Sequence, residues 1–179
     1  MPTIIRKAFW DHEKEENWLN EQSAKGLALT NYAWCKYTFT PCQPNEYTYR
    51  LELLDQLTTH PKSQEYLQFI TDSGIEHVAS YSRWVYFRRP TIDGAFDIYS
   101  DTASKIQHYR RIQGLWITLA LAELAIGLSN ICLSISAPHN LVNLIMGIFC
   151  IGIGLPILGL SLRLQKKIKQ LRKDSTLTE

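Results

Sequence analysis

The sequence predicts an α+β domain followed by two membrane-spanning helices. Two apolar segments, 115–135 and 141–162, each contain about 20 residues, the length that a helix needs to cross a hydrocarbon core of roughly 30 Å. Because backbone amides within hydrocarbon must be satisfied internally, both segments should be helical. The break at 136–140 has room only for a tight turn, which indicates a transmembrane hairpin over 115–162. Strand-like and helix-like stretches alternate upstream and predict the α+β domain over 1–99.

Basic residues determine the predicted orientation of the hairpin. Lys105, Arg110 and Arg111 precede the first apolar segment, more bases follow the second, and the break between the segments has no Lys or Arg. The positive-inside rule therefore places both termini in the cytoplasm, with the hairpin in the cell membrane.

The tail at 163–179 carries the excess positive charge behind the formal net charge of +2, whereas the N-terminal domain is nearly neutral. A nearly neutral domain argues against direct binding of nucleic acid. We interpret the tail as a topology anchor whose bases extend to the membrane surface; the alternative is an amphipathic helix that binds anionic lipid or a partner. The residues expected to contact lipid head groups are Arg163, Lys166, Lys167 and Lys169.

Within the N-terminal domain, β-branched and aromatic runs predict strands, and amphipathic runs predict helices. The predicted strands are 3–10, 28–39, 46–54 and 75–88, and the predicted helices are 11–26 and 60–74. Asp11 can cap the first helix, and Gly26 can end it. The resulting order, β-α-β-β-α-β, is ferredoxin-like, with both helices on one face of a single antiparallel sheet. The other face would be open to a ligand, a second copy of the chain or a partner.

This open face carries the candidate binding residues. Strand 46–54 alternates in polarity, so Arg50 and Glu52 should point away from the helices. Trp34 and Trp84 add aromatic side chains from neighbouring strands. We expect these four side chains to bind a ligand or partner, for example an apolar or cationic molecule in an aromatic pocket. The alternative is that the aromatic residues only complete the core.

A juxtamembrane helix is predicted over 100–114. Ser100 or Asp101 can cap it, and no residue before Gly114 would interrupt its path into the first span. A continuous helix would transmit motion between the domain and the membrane, which a flexible linker would not do.

Glu123 is the only charged residue in the two spans. An ionisable side chain at this depth costs about 2.5–3.5 kcal/mol on insertion scales and therefore needs a partner. We expect Asn143 of the second span, or another membrane protein, to supply the contact, and Glu123 is either structural or a protonatable switch. Glycines such as Gly127 and Gly147 permit close packing of the two helices.

The sequence shows no motif for catalysis or metal binding. The histidines are scattered, no C-x-x-C pair occurs, and no glycine-rich phosphate loop is present. We therefore expect no metal, no cofactor and no enzymatic activity.

The chain resembles a bacterial family known as domain of unknown function 2812. The resemblance rests on the stretches EKEENWLNEQSAKGLAL (13–29), SRWVYFRR (82–89) and FDIYSDTASKIQHYRRI (96–112), with the strand pieces 37–39 and 46–50. It implies a cytoplasmic domain followed by membrane helices, in the vicinity of PadR-type transcriptional regulators. It supplies no catalytic residue.

The leading hypothesis is a non-enzymatic, membrane-anchored regulatory or interaction module. Its sheet would bind a partner or ligand, and the juxtamembrane helix would couple binding to the hairpin. The partners considered are membrane lipids, a second copy of the chain in a homo-oligomer, another membrane protein and a PadR-type regulator. The alternative hypothesis is an accessory subunit of a membrane transporter that docks through the hairpin.

Overall fold

A computed structural model of the chain describes residues 2–99, 101–136 and 141–177. The chain divides into two compact units, an N-terminal unit up to Ser100 and a C-terminal unit from Asp101 onward. The described elements of the N-terminal unit are β1 (Thr3–Arg6), α1 (His12–Ala24), β2 (Leu27–Ala33), β3 (Lys36–Pro41), β4 (Tyr47–Leu53), α2 (Pro61–Asp72), β5 (Glu76–Tyr81), β6 (Trp84–Pro90) and a short 3-10 helix (Thr91–Asp93).

The strands of the N-terminal unit form two antiparallel sheets. The first sheet has the strand order β1-β3-β2, and the second has the order β4-β6-β5. The α+β class is therefore confirmed, but the single ferredoxin-like sheet is not. The predicted strands 28–39 and 75–88 are each folded into a hairpin of two shorter strands.

Tight turns explain this difference. Trp34 and Cys35 join β2 to β3, and both have positive φ angles, 41° and 59°. Ser82 and Arg83 join β5 to β6, and Ser82 has a φ of 57°. Two-residue turns with positive φ match the twist of a hairpin, and they are usually marked by Asn-Gly or Asp-Gly. Because neither turn has such a signal, the sequence pattern predicts one long strand in place of each hairpin.

The first core lies between the two sheets and α1. Trp18 and Leu19 of α1 pack there, with the ring centroids of Trp18 and Tyr37 4.7 Å apart. The buried strand residues of this core are Leu29, Tyr37, Phe39, Tyr49, Leu51, Ala79 and Tyr86. Since these residues come from both sheets, one apolar core holds the whole unit together.

The opposite face of the second sheet is covered by α2. Successive residues of β6 point to opposite sides, so Tyr86 enters the first core while Val85 and Phe87 pack with Leu67 of α2. Phe96, which follows the sheet in the chain, completes this second core. The second sheet is thus buried on both faces, and the open face expected for strand 46–54 does not exist.

Helix α1 also covers the outer edge of the second sheet. Side chains spaced by about one helical turn bond to the backbone of the edge strand β4. The pairs are Ser23 with Tyr47, Asn20 with Tyr49 and Glu16 with Leu51. The backbone groups of an edge strand are otherwise available to pair with another chain, so these bonds both position α1 and protect the edge.

The C-terminal unit consists of two long helices, α3 (Thr102–Ser136) and α4 (Leu141–Leu177). Both are long and apolar enough to cross a membrane. Helix α4 continues well beyond the second apolar segment, so most of the predicted basic tail is helical. Of the predicted turn at 136–140, Ser136 is the last residue of α3, and 137–140 lie outside the described residues.

Helix α3 begins at a side-chain cap. The Asp101 carboxylate accepts the Ser104 N–H at 2.7 Å, and the helix then passes through Gly114 without a break. One unbroken helix therefore contains most of the segment 100–114 together with the first apolar segment. The alternative cap, Ser100, lies outside the described residues.

The two long helices pack closely through glycine. A Cβ atom placed on Gly127 would lie 3.0 Å from the Gly147 carbonyl oxygen, and one on Gly147 would lie 2.9 Å from the Gly127 carbonyl oxygen. Beyond the apolar segments, Ile106 and Tyr109 of α3 pack with Ile168 of α4. The helix pair therefore extends past the length needed to span a bilayer.

Candidate interaction surface

The predicted binding residues do not share one surface. Glu52 is buried, with 3% of its surface exposed, and it accepts a hydrogen bond from the Tyr66 hydroxyl of α2 at 2.7 Å. Arg50 is half-buried, and its guanidinium carbon lies 6.0 Å from the centroid of the Phe96 ring. Because α2 and the chain around Phe96 cover this side of β4, Arg50 and Glu52 do not lie on an open face.

The two predicted tryptophans differ in exposure. Trp84 begins β6 and is half-buried, with its ring centroid 5.9 Å from that of His12. Trp34 lies in the β2–β3 turn, and 75% of its surface is exposed. Of the four predicted residues, Trp34 is the one with the exposure that contact with a partner requires.

The end of the N-terminal unit around Trp34 combines aromatic and basic side chains. Tyr81 ends β5, and its ring centroid lies 6.0 Å from that of Trp34. The backbone N–H of Lys7 donates to the Cys35 carbonyl at 2.9 Å, which holds the chain after β1 against the turn. Arg6 of β1 and Lys36 of β3 lie directly opposite each other and are both exposed. The Lys7 ammonium, by contrast, lies 4.8 Å from the Phe9 ring centroid and 5.1 Å from the Trp18 ring centroid, toward the first core. We refer to the end of the unit that carries Arg6, Trp34, Lys36 and Tyr81 as the Trp34 tip.

A buried carboxylate of α1 joins the two sheets. One oxygen of Glu15 accepts hydrogen bonds from the hydroxyls of Tyr37 in the first sheet and Tyr86 in the second, both at 2.6 Å. Burial raises the pKa of Glu15, and the two hydroxyl donors lower it less. Sequence reasoning missed this residue, although its place three and four residues before Trp18 and Leu19 puts it on the core face of the helix.

The neighbouring carboxylate, Glu16, joins α1 to β4. It accepts the Leu51 N–H at 2.7 Å. Burial raises the pKa of Glu16 to about 7, an effect that the Leu51 hydrogen bond and the nearby Arg50 charge oppose. Glu16 is therefore a contact between helix and sheet whose charge changes near neutral pH.

Arg88 forms another link between the sheets. Its guanidinium makes a bidentate pair with Glu76, at 2.8 and 2.7 Å, and lies 4.2 Å from the centroid of the Tyr47 ring. It also donates to the Leu29 carbonyl at 3.1 Å, while the Leu29 N–H donates to the Tyr49 hydroxyl at 2.8 Å. Both backbone groups of Leu29 in the first sheet are thus bonded to side chains of the second.

Within the parts of the chain that the structure describes, no group of three or more His, Cys, Asp or Glu side chains is placed to hold a metal ion. The acidic side chains at the start of α1 bond to protein groups instead. Asp11 accepts the Glu13 N–H at 3.0 Å and caps the helix, and the two residues Glu15 and Glu16 bond as described above.

In the C-terminal unit, Glu123 contacts α4 but not at Asn143. It is in hydrogen-bonding contact with the Cys150 thiol, and Gly154 packs beside its Cβ atom. Gly147, one turn after Asn143, lies opposite Gly127. Glu123 and Asn143 are therefore separated by about 12 Å along the helix axis, and the expected pairing is replaced by a contact with Cys150.

The basic side chains after the second apolar segment have different environments. The Lys167 ammonium lies 5.0 Å from the centroid of the Tyr109 ring of α3, which links the two helices through a cation–π contact. Arg163, Lys166 and Lys169 are exposed. Their contact with lipid head groups stays a prediction.

Comparison with known proteins supports the resemblance found in the sequence. A family model described as "Protein of unknown function (DUF2812)" matches residues 11–121, more than half of the chain. The matched region runs from the cap of α1 through the N-terminal unit and into the first apolar segment of α3. No curated protein and no solved structure matches the chain. The chain therefore belongs to the DUF2812 family.

Proposed function

We propose that this protein is a membrane-anchored regulatory or interaction module without enzymatic activity. Its N-terminal unit and both termini lie in the cytoplasm, the two long helices anchor it in the cell membrane, and the Trp34 tip binds a partner. The observation that carries the proposal is the exposure of Trp34 at a strained turn.

The β2–β3 turn is unfavourable for the residues that occupy it. A positive φ angle costs a non-glycine residue about 1–2 kcal/mol, and a bulky residue adopts it rarely. Asn followed by Gly would form the same turn at little cost. Trp34 is also 75% exposed, so its ring contributes little to the core. A tryptophan placed here at a cost to stability favours a role in contact with another molecule.

The continuity of α3 supports a regulatory role. The helix runs from Thr102 to Ser136, so one element contains both the juxtamembrane segment and the first apolar segment. Its extension packs on α4 through Tyr109 and Ile168. A change in the helix pair outside the membrane would therefore reach the spans through rigid structure, as coupling between sites requires.

Site-specific crosslinking tests the proposed surface. A photo-crosslinking phenylalanine analogue at position 34 of the full-length protein should form adducts in native membranes, which mass spectrometry can identify. The matched control is the same analogue at position 69, because Phe69 of α2 is similarly exposed (65%) and lies outside the tip. Adducts at position 34 that are absent at position 69 support the proposal. Equal labelling at both positions, or none at position 34, contradicts it.

A further inference from the structure

The two segments of the first sheet that contribute to the Trp34 tip have no acidic residues. Neither 2–10, which contains β1, nor 27–41, which contains β2 and β3, has an Asp or Glu, whereas both contain bases. In the described residues, Arg6 and Lys36 form no ion pair, and their backbones lie directly opposite each other next to the turn. The first sheet thus presents uncompensated positive charge beside an exposed tryptophan.

The side chains of the tip are of the types that favour a membrane surface. Tryptophan and tyrosine are enriched at the boundary between lipid and water, because each has an apolar ring and a polar group. Lys and Arg are attracted to anionic head groups. Trp34 and Tyr81 are exposed by 75% and 37%, and Ile4, on the same side of β1 as Arg6, is exposed by 53%. Alternation along the strand places Ile4 and Arg6 on one face.

A short segment connects the N-terminal unit to the proposed membrane spans. Helix α3 begins at Thr102, and its apolar segment begins at Leu115, a distance of about 20 Å along a helix. A unit tethered so close to a bilayer meets lipid at high effective concentration, so that weak contacts are enough for binding. A soluble protein partner has no such advantage.

We infer that the partner of the Trp34 tip is the anionic surface of the membrane in which the chain is anchored. Trp34 and Tyr81 enter the head-group region, and Arg6 and Lys36 bind lipid phosphates. This inference rests on the proposed function, because it names the partner of the same surface.

The test uses the full-length protein in lipid nanodiscs, with the photo-crosslinking analogue at position 34. Discs of phosphatidylcholine alone are compared with discs that also contain phosphatidylglycerol. We expect lipid adducts mainly in the anionic discs, and high salt should reduce them because it screens the attraction. The substitutions Arg6→Glu and Lys36→Glu should each reduce the adducts at least about fivefold, because each removes a positive charge and adds a negative one. Lys25→Glu is the control, because Lys25 is an exposed base at the opposite end of β2.

The possible outcomes distinguish an error in the lipid assignment from an error in the proposed binding surface. A protein adduct in native membranes without lipid adducts in nanodiscs overturns the lipid assignment and leaves the binding surface in place. Equal lipid adducts in neutral and anionic discs, or an equal loss with Lys25→Glu, overturn the role of the tip's charges. Failure of position 34 to label any lipid or protein overturns both.

Discussion

Replacement of Glu16 by Gln should remove a pH-dependent loss of stability from the N-terminal unit. Burial raises the pKa of Glu16 from 4.5 to about 7 in the folded protein. Between these two values the folded state binds more protons at this carboxyl than the unfolded chain does. Stability therefore falls as the pH rises through this window, and the loss is complete above its upper end.

The size of the effect follows from the pKa shift. One pKa unit corresponds to about 1.4 kcal/mol, so the shift of Glu16 sets an upper limit of about 3 kcal/mol. The side chain is only half-buried, and screening by water reduces the expected effect to about 1–2 kcal/mol. Gln retains an oxygen that can accept the Leu51 N–H but never ionises. The variant should therefore exceed the wild type in stability by this amount at about pH 8 and equal it below about pH 4.5.

Urea unfolding of the full-length protein in mild detergent, followed by tryptophan fluorescence, measures this difference. Trp18 in the first core is 8% exposed and will report loss of the core. Glu21→Gln is the matched control, because it removes an exposed carboxylate from the same helix and should leave the pH profile unchanged. The reasoning is refuted if the wild type and the Glu16→Gln variant have parallel profiles, or if the variant is the less stable protein at alkaline pH.

Further predictions concern the core, the helix pair and the strained turn. Tyr86→Phe removes a 2.6 Å hydrogen bond to a buried carboxylate and should lower the free energy of unfolding in urea by about 1–3 kcal/mol. Gly127→Leu should overpack the contact between the two long helices and lower the free energy of unfolding by about 1–3 kcal/mol, measured by thermal denaturation of the purified protein. Gly152→Leu is the control and should have no such effect, because a Cβ atom on Gly152 meets nothing within 4 Å. Trp34→Asn combined with Cys35→Gly should raise the free energy of unfolding in urea by about 1 kcal/mol, because Asn-Gly suits this turn. The same double substitution should abolish adduct formation from a crosslinker at position 81. Retention of those adducts would show that Trp34 does not form the contact.

The helices could be predicted from the sequence because their signals are local. α1 and α2 begin within one residue of the predicted positions, where Asp11 and His60 accept backbone N–H groups at the helix starts. The division of the strands into two sheets could not be predicted, because strand pairing depends on contacts between distant residues. The turn at Trp34 and Cys35 also lacks the residues that usually identify a hairpin.

The candidate site shows a similar limit. The alternation of strand 46–54 correctly separates Tyr49 and Leu51 from Arg50 and Glu52, but it does not show what covers each side. Polar residues at helical spacing are also typical of a solvent-exposed helix face. In α1, such side chains instead bond to the edge of β4, a contact that local sequence patterns do not predict.

Trp34 carries the functional proposals because stability alone does not account for its position. Residues in the cores are explained by the contacts they make, and Glu15 is explained by its two tyrosine partners. Trp34 has a positive φ angle and remains largely exposed, so the fold gains little from it. Its ring contact with Tyr81 lies at the surface, and a residue that departs from local preferences while remaining so exposed indicates a functional site. The absence of acidic residues from β1, β2 and β3 then favours an anionic surface as the proposed partner, and in the proposed membrane-anchored arrangement the tether brings lipid close to the unit.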